Sequence, residues 1–376
     1  MADLTVLLDT LRKAAEEPRR QMEKYLSQSK KVVGCFPVYT PEELIHASGM
    51  IPMGLWGGRT ELRMAKAYLP AFACPIMQST LELGLRGNYK GLSAVVIPTL
   101  CDTFRCITQD WRFGVKDIPM IPVVYPQNRS IPAAADFLVS EFEAALVRLS
   151  AVTGQTMTEE ALNRSIDIYN RHNAVMREFV QAANLHLDII TPRVRHAVMK
   201  SAFFYEKEEH TALMRQLIDA LNQRPGFAFS GRKVVLTGIM AEPVELLDML
   251  EENNIAVVAD DLAQESRQYR TDVPSGGSAL HRLAQQWMER KACSLVHTEH
   301  FERGELLADL CKWHGAGGVI ACMMKFCDPE EYDLPTYKHF LEQQGISVLS
   351  IEVDPLNDSN EQARTRIQTF GELLAR

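Results

Sequence analysis

The sequence predicts an α/β protein with two parallel-sheet units, residues 30–130 and 231–376. A helical segment at 131–230 joins them, and an N-terminal helical stretch at 1–29 precedes them. Three observations carry this reading. Short valine-rich runs alternate with helix-period segments in both outer units, the pattern of a parallel sheet with helices on its faces. From about Ile131 to Asn222 the period is helical and no strand pattern interrupts it. One strand in each unit ends in a turn that carries a Cys-Asp pair, Cys101-Asp102 in SAVVIPTLCDTFRC and Cys327-Asp328 in KFCDP. Open α/β sheets place ligands beyond the carboxyl ends of their strands, so the two pairs read as one site built from both sides.

Composition sets the bounds. A chain of 376 residues, 46% hydrophobic and 23% charged, is long enough for two or three packed domains. Its formal charge of -8 argues against nucleic acid or an anionic membrane as partner. No apolar run reaches transmembrane length and the first twenty residues lack a signal-peptide core, so a cytoplasmic protein is expected. Eight cysteines in such a chain point to buried thiols or metal ligands rather than disulfides.

The elements follow in order. MADLTVLLDTLRKAAEEPRR reads as an amphipathic helix with Leu4, Leu7, Leu8 and Leu11 on one face. KKVVGCFPVY (Lys30–Tyr39) gives a first strand. Thr40-Pro41-Glu42-Glu43 then opens a helix: Thr40 as N-cap, Pro41 in the first position, Glu43 completing a capping box. Gly49 ends it, and IPMGLWGG (Ile51–Gly58) supplies a second strand and a glycine-rich turn. Cys74-Pro75 begins the next helix, with Ile76, Leu81 and Leu85 among its apolar positions. Residues 93–98 form the third strand, which Pro98 is expected to stop, and Met120–Pro126 the fourth. In the connector, Asp136–Val152, Thr158–Ala182 and His210–Asn222 are the clearest helices. The second unit runs through strand Gly231–Gly238, helix Pro243–Glu252 and strand Ile255–Asp261. Asp272–Ser278 is a flexible loop without a motif. Strands 318–323 and Ser347–Val353 follow, then a last helix capped by Ser359 with Gln362 at the box position.

The chemistry rests on sulfur. Cys74 stands at a helix N-terminus, where free N–H groups and the helix dipole favour a thiolate. Cys101 and Cys327 occupy strand-end turns, and Asp328-Pro329 reads as N-cap and first residue of a new turn. Thiolates ligate soft metals, and three sulfurs suit three irons of a 4Fe-4S cluster that ordinarily takes four cysteines. Spacing alone leaves the opposite reading standing, because there is no C-x-x-C run and free cysteines are mostly small buried hydrophobes.

Longer motifs add to this. VVGCFPVYTPEELIHASGMIPMGLWGG, AFACPIMQSTLELGLRG, IPTLCDTFRC and GVIACMMKFCDPEEYDLPTYKHFLEQQGISVLSIEVD together resemble the (R)-2-hydroxyacyl-CoA dehydratase and benzoyl-CoA reductase family. The likeness is greatest to the dehydratase beta subunits of the 2-hydroxyglutaryl-CoA dehydratase D-component type. It covers both α/β units and is less distinctive in the connector. It implies two flavodoxin-like domains holding one 4Fe-4S cluster per chain on Cys74, Cys101 and Cys327, with one iron open. It implies removal of water from an (R)-2-hydroxyacyl-CoA through a ketyl radical, with this chain relaying one electron and carrying no assigned acid or base. The implied partners are an alpha subunit that holds the acyl-CoA substrate, and a dimeric ATP-dependent iron-sulfur activator. They would meet this chain on an apolar face near Cys101 and Cys327. Flavin in the complex is left open, as are a benzoyl-CoA-type reductase subunit and a two-lobed non-enzymatic binding protein with buried or zinc-bound cysteines.

The remaining candidates read as structural. Cys35 in strand one, and Cys293 and Cys311 in apolar helical or strand contexts, are expected in the core. Cys106 and Cys322 lie within five residues of proposed ligands and read as packing. Related double-cubane proteins place extra cysteines where this chain has TGIMAEP and ADDLAQE, so a single cubane is implied. His46 reads as a helix histidine, Glu42 and Glu43 as capping, and His297–His300 as surface. Gly57-Gly58 is too short for a phosphate loop, and neither G-x-G-x-x-G nor G-x-x-x-x-G-K-[ST] occurs.

Overall fold

The computed structural model describes residues 3–296, 302–357 and 361–375. Two four-stranded sheets, each parallel throughout, form its frame. The first contains β1 (Val32–Cys35), β2 (Ile51–Gly54), β3 (Ala94–Thr99) and β4 (Met120–Val124), in the order β2-β1-β3-β4. The second contains β5 (Arg232–Gly238), β6 (Ile255–Leu262), β7 (Gly318–Met324) and β8 (Ser347–Val353), in the order β6-β5-β7-β8. Both are the flavodoxin-like order, which reverses direction between the first and third strands to arrive. Strands β1, β2, β3, β6 and β7 are buried along their whole length, as sheets covered on both faces require. One apolar core runs through both sheets, from Val33 and Ile97 to Leu236 and Ile320.

Three local expectations change. β3 continues through Pro98, which sits opposite Val123 of β4. Pairing of β3 with β1 ends at Val96, so the ladder on that side has finished where proline lacks its N–H. The helix after β1 runs Glu42–Ala47 with Pro41 at its cap position. The Thr40 hydroxyl instead donates to the Phe36 carbonyl at 2.7 Å, so Thr40 does not cap that helix. Asp328 is the first residue of helix Asp328–Gln343, and the N-cap is Cys327 itself. The Ser359 cap lies outside the described residues; the helix is described from Glu361 to Leu373.

Four helices fill the middle of the chain: Ala133–Thr153, Glu159–Asn184, Pro192–Ser201 and Lys207–Asn222. The N-terminal stretch forms two, Leu4–Glu16 and Pro18–Ser27. Leu7 and Leu11 are buried, Leu4 and Leu8 half-buried, and Leu11 packs with Val175, Phe179 and Leu217 of the middle helices. Pro192–Ser201 is tied to the second sheet by a buried Arg195–Asp260 ion pair and by His196 between Glu242 (3.0 Å) and Glu265 (2.9 Å). Among the described residues, no helix is long and apolar enough to cross a membrane.

Candidate functional site

Cys74, Cys101 and Cys327 share one placement: each is the N-cap of a helix, Pro75–Leu85, Asp102–Gly114 and Asp328–Gln343 respectively. A sulfur at this position faces the unpaired N–H groups of the first turn. None of the three thiols caps its helix with a hydrogen bond, but the nearby N–H groups of Ile76 and Met77 at Cys74, of Thr103 and Phe104 at Cys101, and of Glu330 at Cys327 favour the charged form of each sulfur. Pro75 and Pro329 sit in the first turns, where a missing N–H costs nothing.

All three thiols line one cavity of about 490 Å³. Its walls come from just beyond the strand ends on both sides: Pro37 after β1, Leu100 after β3, Ile239 after β5 and Phe326 after β7. These are the first and third strands of each sheet, so the two points of strand-order reversal face each other across one space. A larger apolar cavity, about 840 Å³, lies on the other side of Trp56, whose side chain walls both. It contains none of the three thiols.

Burial dominates the electrostatics. It pushes the Cys74 thiol up to about 12 against the N–H groups of Ile76 and Met77, which lower it. It likewise raises Cys101, and it raises Cys327 well above the usual thiol range with help from the Glu330 carboxylate. The expected thiolate at a helix start is therefore overridden by desolvation. Only a cation held in the cavity would make these sulfurs thiolates at neutral pH. Among the described residues, no three Cys, His, Asp or Glu side chains stand close enough together to share a single metal ion.

The other cysteines are dispersed. Cys35 is buried in β1, Cys322 in β7 and Cys311 in helix Glu302–His314. Cys106 is exposed on helix Asp102–Gly114, so it is not the packing residue expected. Cys293 is buried, though in an irregular segment rather than a helix or strand; Tyr39 Oη (3.1 Å) and Arg267 Nη1 (3.3 Å) donate to its sulfur. His46 is satisfied by Ser165 at 3.0 Å, and Glu42 by Lys207 at 3.0 Å and Tyr169 at 3.1 Å. His297–His300 lies outside the described residues.

Sequence reasoning missed the ionic support behind Cys327. Glu330, one turn into the Cys327 helix and fully buried, accepts from Arg303 at 2.7 Å, Arg267 at 3.2 Å and Ser294 at 2.7 Å. Arg267 and Arg303 also bind Asp261 at the end of β6, each at 3.0 Å. Burial raises the Asp261 carboxyl, but Arg267, Arg270 and Arg303 outweigh it and hold it well below the usual carboxylate range. The signal was Asp260-Asp261 inside an otherwise apolar strand, since a buried carboxylate pair demands cationic partners.

Fold and site together define a class: a two-sheet α/β protein whose opposed strand-order reversals enclose a three-thiol cavity. Residues 37–374 match the family model described as 2-hydroxyglutaryl-CoA dehydratase, D-component, and the chain belongs to that family. It is 44% identical over 360 residues to the (R)-phenyllactyl-CoA dehydratase beta subunit of Clostridium sporogenes, covering 96% of each chain. It is 44% identical over 378 residues to lactoyl-CoA dehydratase subunit beta of Anaerotignum propionicum, covering 100% of both. Identity to (R)-2-hydroxyglutaryl-CoA dehydratase, subunit beta, of Acidaminococcus fermentans is 36% over 378 residues, 99% of this chain and 100% of that one.

Proposed function

We propose that this chain is the beta subunit of a hydro-lyase, an (R)-2-hydroxyacyl-CoA dehydratase, and that Cys74, Cys101 and Cys327 hold one 4Fe-4S cluster. The observation that carries the reading is that the three motif cysteines, from three distant segments, line one cavity where both sheets reverse strand order. The donor set fits such a group. In a polynuclear cluster each thiolate binds its own iron, so the sulfurs need not converge on a single ion. The cavity has room, unpaired first-turn N–H groups stand beside the sulfurs, and the metal supplies the cation that buried thiolates lack. Three protein sulfurs leave one iron open.

When bound, the cluster supplies storage and release of one electron at low potential. The chain's own residues then exclude water and orient the donors. Leu100, Ile239, Leu295 and Trp56 keep the walls apolar, which strengthens every charge interaction inside. Phe326 and Tyr332 sit on the rim and are exposed, as is Phe72 two residues before Cys74. An exposed aromatic rim suits docking of protein partners. We assign that face to the alpha subunit, which would hold the acyl-CoA, and to an ATP-dependent activator delivering the electron.

The test is iron and acid-labile sulfide analysis of the anaerobically purified chain. About four irons per chain are expected. Cys74→Ser, Cys101→Ser and Cys327→Ser should each lose most of the iron, and Cys293→Ser and Cys311→Ser should keep it. A colourless chain with one zinc would overturn the reading. Dehydration of a 2-hydroxyacyl-CoA should require this chain, the alpha subunit, the activator and ATP together.

A further inference from the structure

A third cavity, of about 80 Å³, is walled in part by Glu43, Tyr169, Gln264, Trp287 and Arg290. Gln264 is 1% exposed, yet neither atom of its side-chain amide has a protein partner, and the Trp287 indole N–H lacks one as well. The space is several times the roughly 10–15 Å³ that a single water needs, and these polar groups are the partners such waters need. Glu43 is a buried carboxyl here. Among the described residues it has no ion pair, although Lys207 pairs with Glu42 next to it.

A narrow pocket of about 10 Å³ lies between this chamber and the cysteine cavity, with walls common to both. It shares Tyr39, Thr40 and Glu42 with the chamber and Pro37, Val38 and Trp56 with the cavity.

We propose that the chamber is a hydrated proton-loading site, with water as its ligand and the Glu43 carboxylate as its proton acceptor, serving the cysteine cavity. Its purpose rests on the iron-sulfur reading; its hydration and titration do not. As one electron enters the cavity from an iron-sulfur reductant, one proton crosses the chamber waters to a Glu43 carboxylate oxygen. The proton is taken up from bulk water as hydronium; an O–H bond of the last hydrated proton breaks as the Glu43 O–H bond forms, and no bond of the protein breaks. The proton offsets the added negative charge inside apolar walls, where uncompensated charge is expensive.

The surroundings of Glu43 single it out. Its own helix carries Glu42, already paired with Lys207 and hydrogen-bonded by Tyr169. From helix Glu159–Asn184, His172 is kept neutral by burial first and by Lys207 and His210 after it. Burial raises the phenols Tyr39, Tyr125 and Tyr169 and the Cys35 thiol, so these stay protonated. Glu265 is ionised beside His196, and Arg290 contributes positive charge over the Tyr39 ring at 4.1 Å. Burial lifts the Glu43 carboxyl to about 7, with the Glu42 charge raising it further and Arg290 and Lys207 opposing.

Infrared difference spectra of the anaerobically purified chain test this. A carboxylic-acid C=O band should vanish as pH rises through about 7 and be missing at every pH in Glu43→Gln. Gln264→Leu, which drains the chamber with little change of volume, should move that titration upward by one unit or more, about tenfold in proton affinity. A crystal structure should place waters on Gln264 and Trp287. A dry chamber, a bound organic molecule, or the same band persisting in Glu43→Gln overturns the proposal. For the iron-loaded chain, the reduction potential should fall with pH by one proton per electron, and the Glu43→Gln variant should lose that slope. An unchanged slope in the variant overturns the link to the cavity. Iron analysis separates the two failures: an iron-free chain sinks the cluster reading, and the infrared titration still decides the chamber.

Discussion

The two sheets share a strand order and end their third strands in a helix-capping cysteine, but they hold that cysteine differently. On the first side, the Cys74 and Cys101 helices are locked by packing. Gly84 of one lies so close to Trp111 of the other that a Cβ would come within 2.9 Å of the indole ring. Trp111 is fully buried, stands edge-on to Phe36 at 5.3 Å and donates to the Ile118 carbonyl at 3.1 Å. On the second side, the Cys327 helix is pinned by charge, through Glu330, Arg267, Arg303 and Asp261. One topology thus accepts two solutions to the same positioning problem. The difference matters because hydrophobic packing yields gradually, whereas a buried ion network fails when one member is lost.

Two substitutions should show the contrast at full size. Trp111→Ala empties a buried aromatic site and should cost about 3–5 kcal/mol. Arg303→Met removes one cation from between buried carboxylates and should cost a similar 3–5 kcal/mol or so. Denaturant unfolding of the whole chain measures both. Their iron contents should diverge under mild chelation: Trp111→Ala loosens two ligand helices and Arg303→Met one. Equal iron loss would erase the distinction drawn between the sides.

The next effect is a pH dependence confined to the charged side. Burial lowers the His196 imidazole, but Glu242 and Glu265 outweigh it and raise the group to about 9. A raised histidine contributes stability that is complete below its unfolded value near 6.5 and is lost as pH climbs to about 9. The amount is on the order of 3 kcal/mol. Urea midpoints measured across that window should fall in the wild type and fall much less in His196→Gln. A parallel decline in both proteins would mean that His196 is not the titrating group.

Smaller still is the packing of the first side. Gly84→Ala asks the Trp111 ring to shift and should cost about 1–3 kcal/mol, without changing the pH profile. A thermal scan reads it directly. If Gly84→Ala proves neutral, the two cysteine helices are not locked at this contact.

Much of this was legible in the sequence, and the exceptions share a cause. Valine-rich runs, Cys74-Pro75 and the two Cys-Asp turns are local signals, and each falls in the element its pattern predicts, although the first strand keeps only Val32–Cys35 of the expected Lys30–Tyr39 and the fourth ends at Val124. Helix Asp102–Gly114 is faint in the sequence because its apolar positions, Phe104, Ile107 and Trp111, are diluted by polar ones. Pro98 was expected to end a ladder that, on the β1 side, had ended already. Arg267, Arg303 and Glu330 sit tens of residues apart and meet only in three dimensions. Nothing in a one-dimensional pattern says which arginine is buried. The chamber around Glu43 was hidden for the same reason, since capping explained the residue from its neighbours alone.

The smallest expected effect tests whether the contrast reaches the aspartates of the two Cys-Asp pairs. Asp102 and Asp328 are each the first residue of a cysteine-capped helix, and both are exposed. Asp102 makes only a loose 3.5 Å pair with the exposed Arg105, an ion pair of the kind worth little. Their common physical role is a negative charge at the positive end of a helix dipole, which at a surface contributes about 0.3–1 kcal/mol. That contribution does not depend on what lies behind the helix. Asp102→Asn and Asp328→Asn should therefore destabilise the chain by the same small amount, one on the packed side and one on the charged side, and added salt should shrink both. Chemical denaturation at low and high ionic strength measures them. If Asp328→Asn approaches the cost of Arg303→Met while Asp102→Asn stays small, the ion network extends to the rim of the cavity, and the charged side governs more of the site than Glu330 alone.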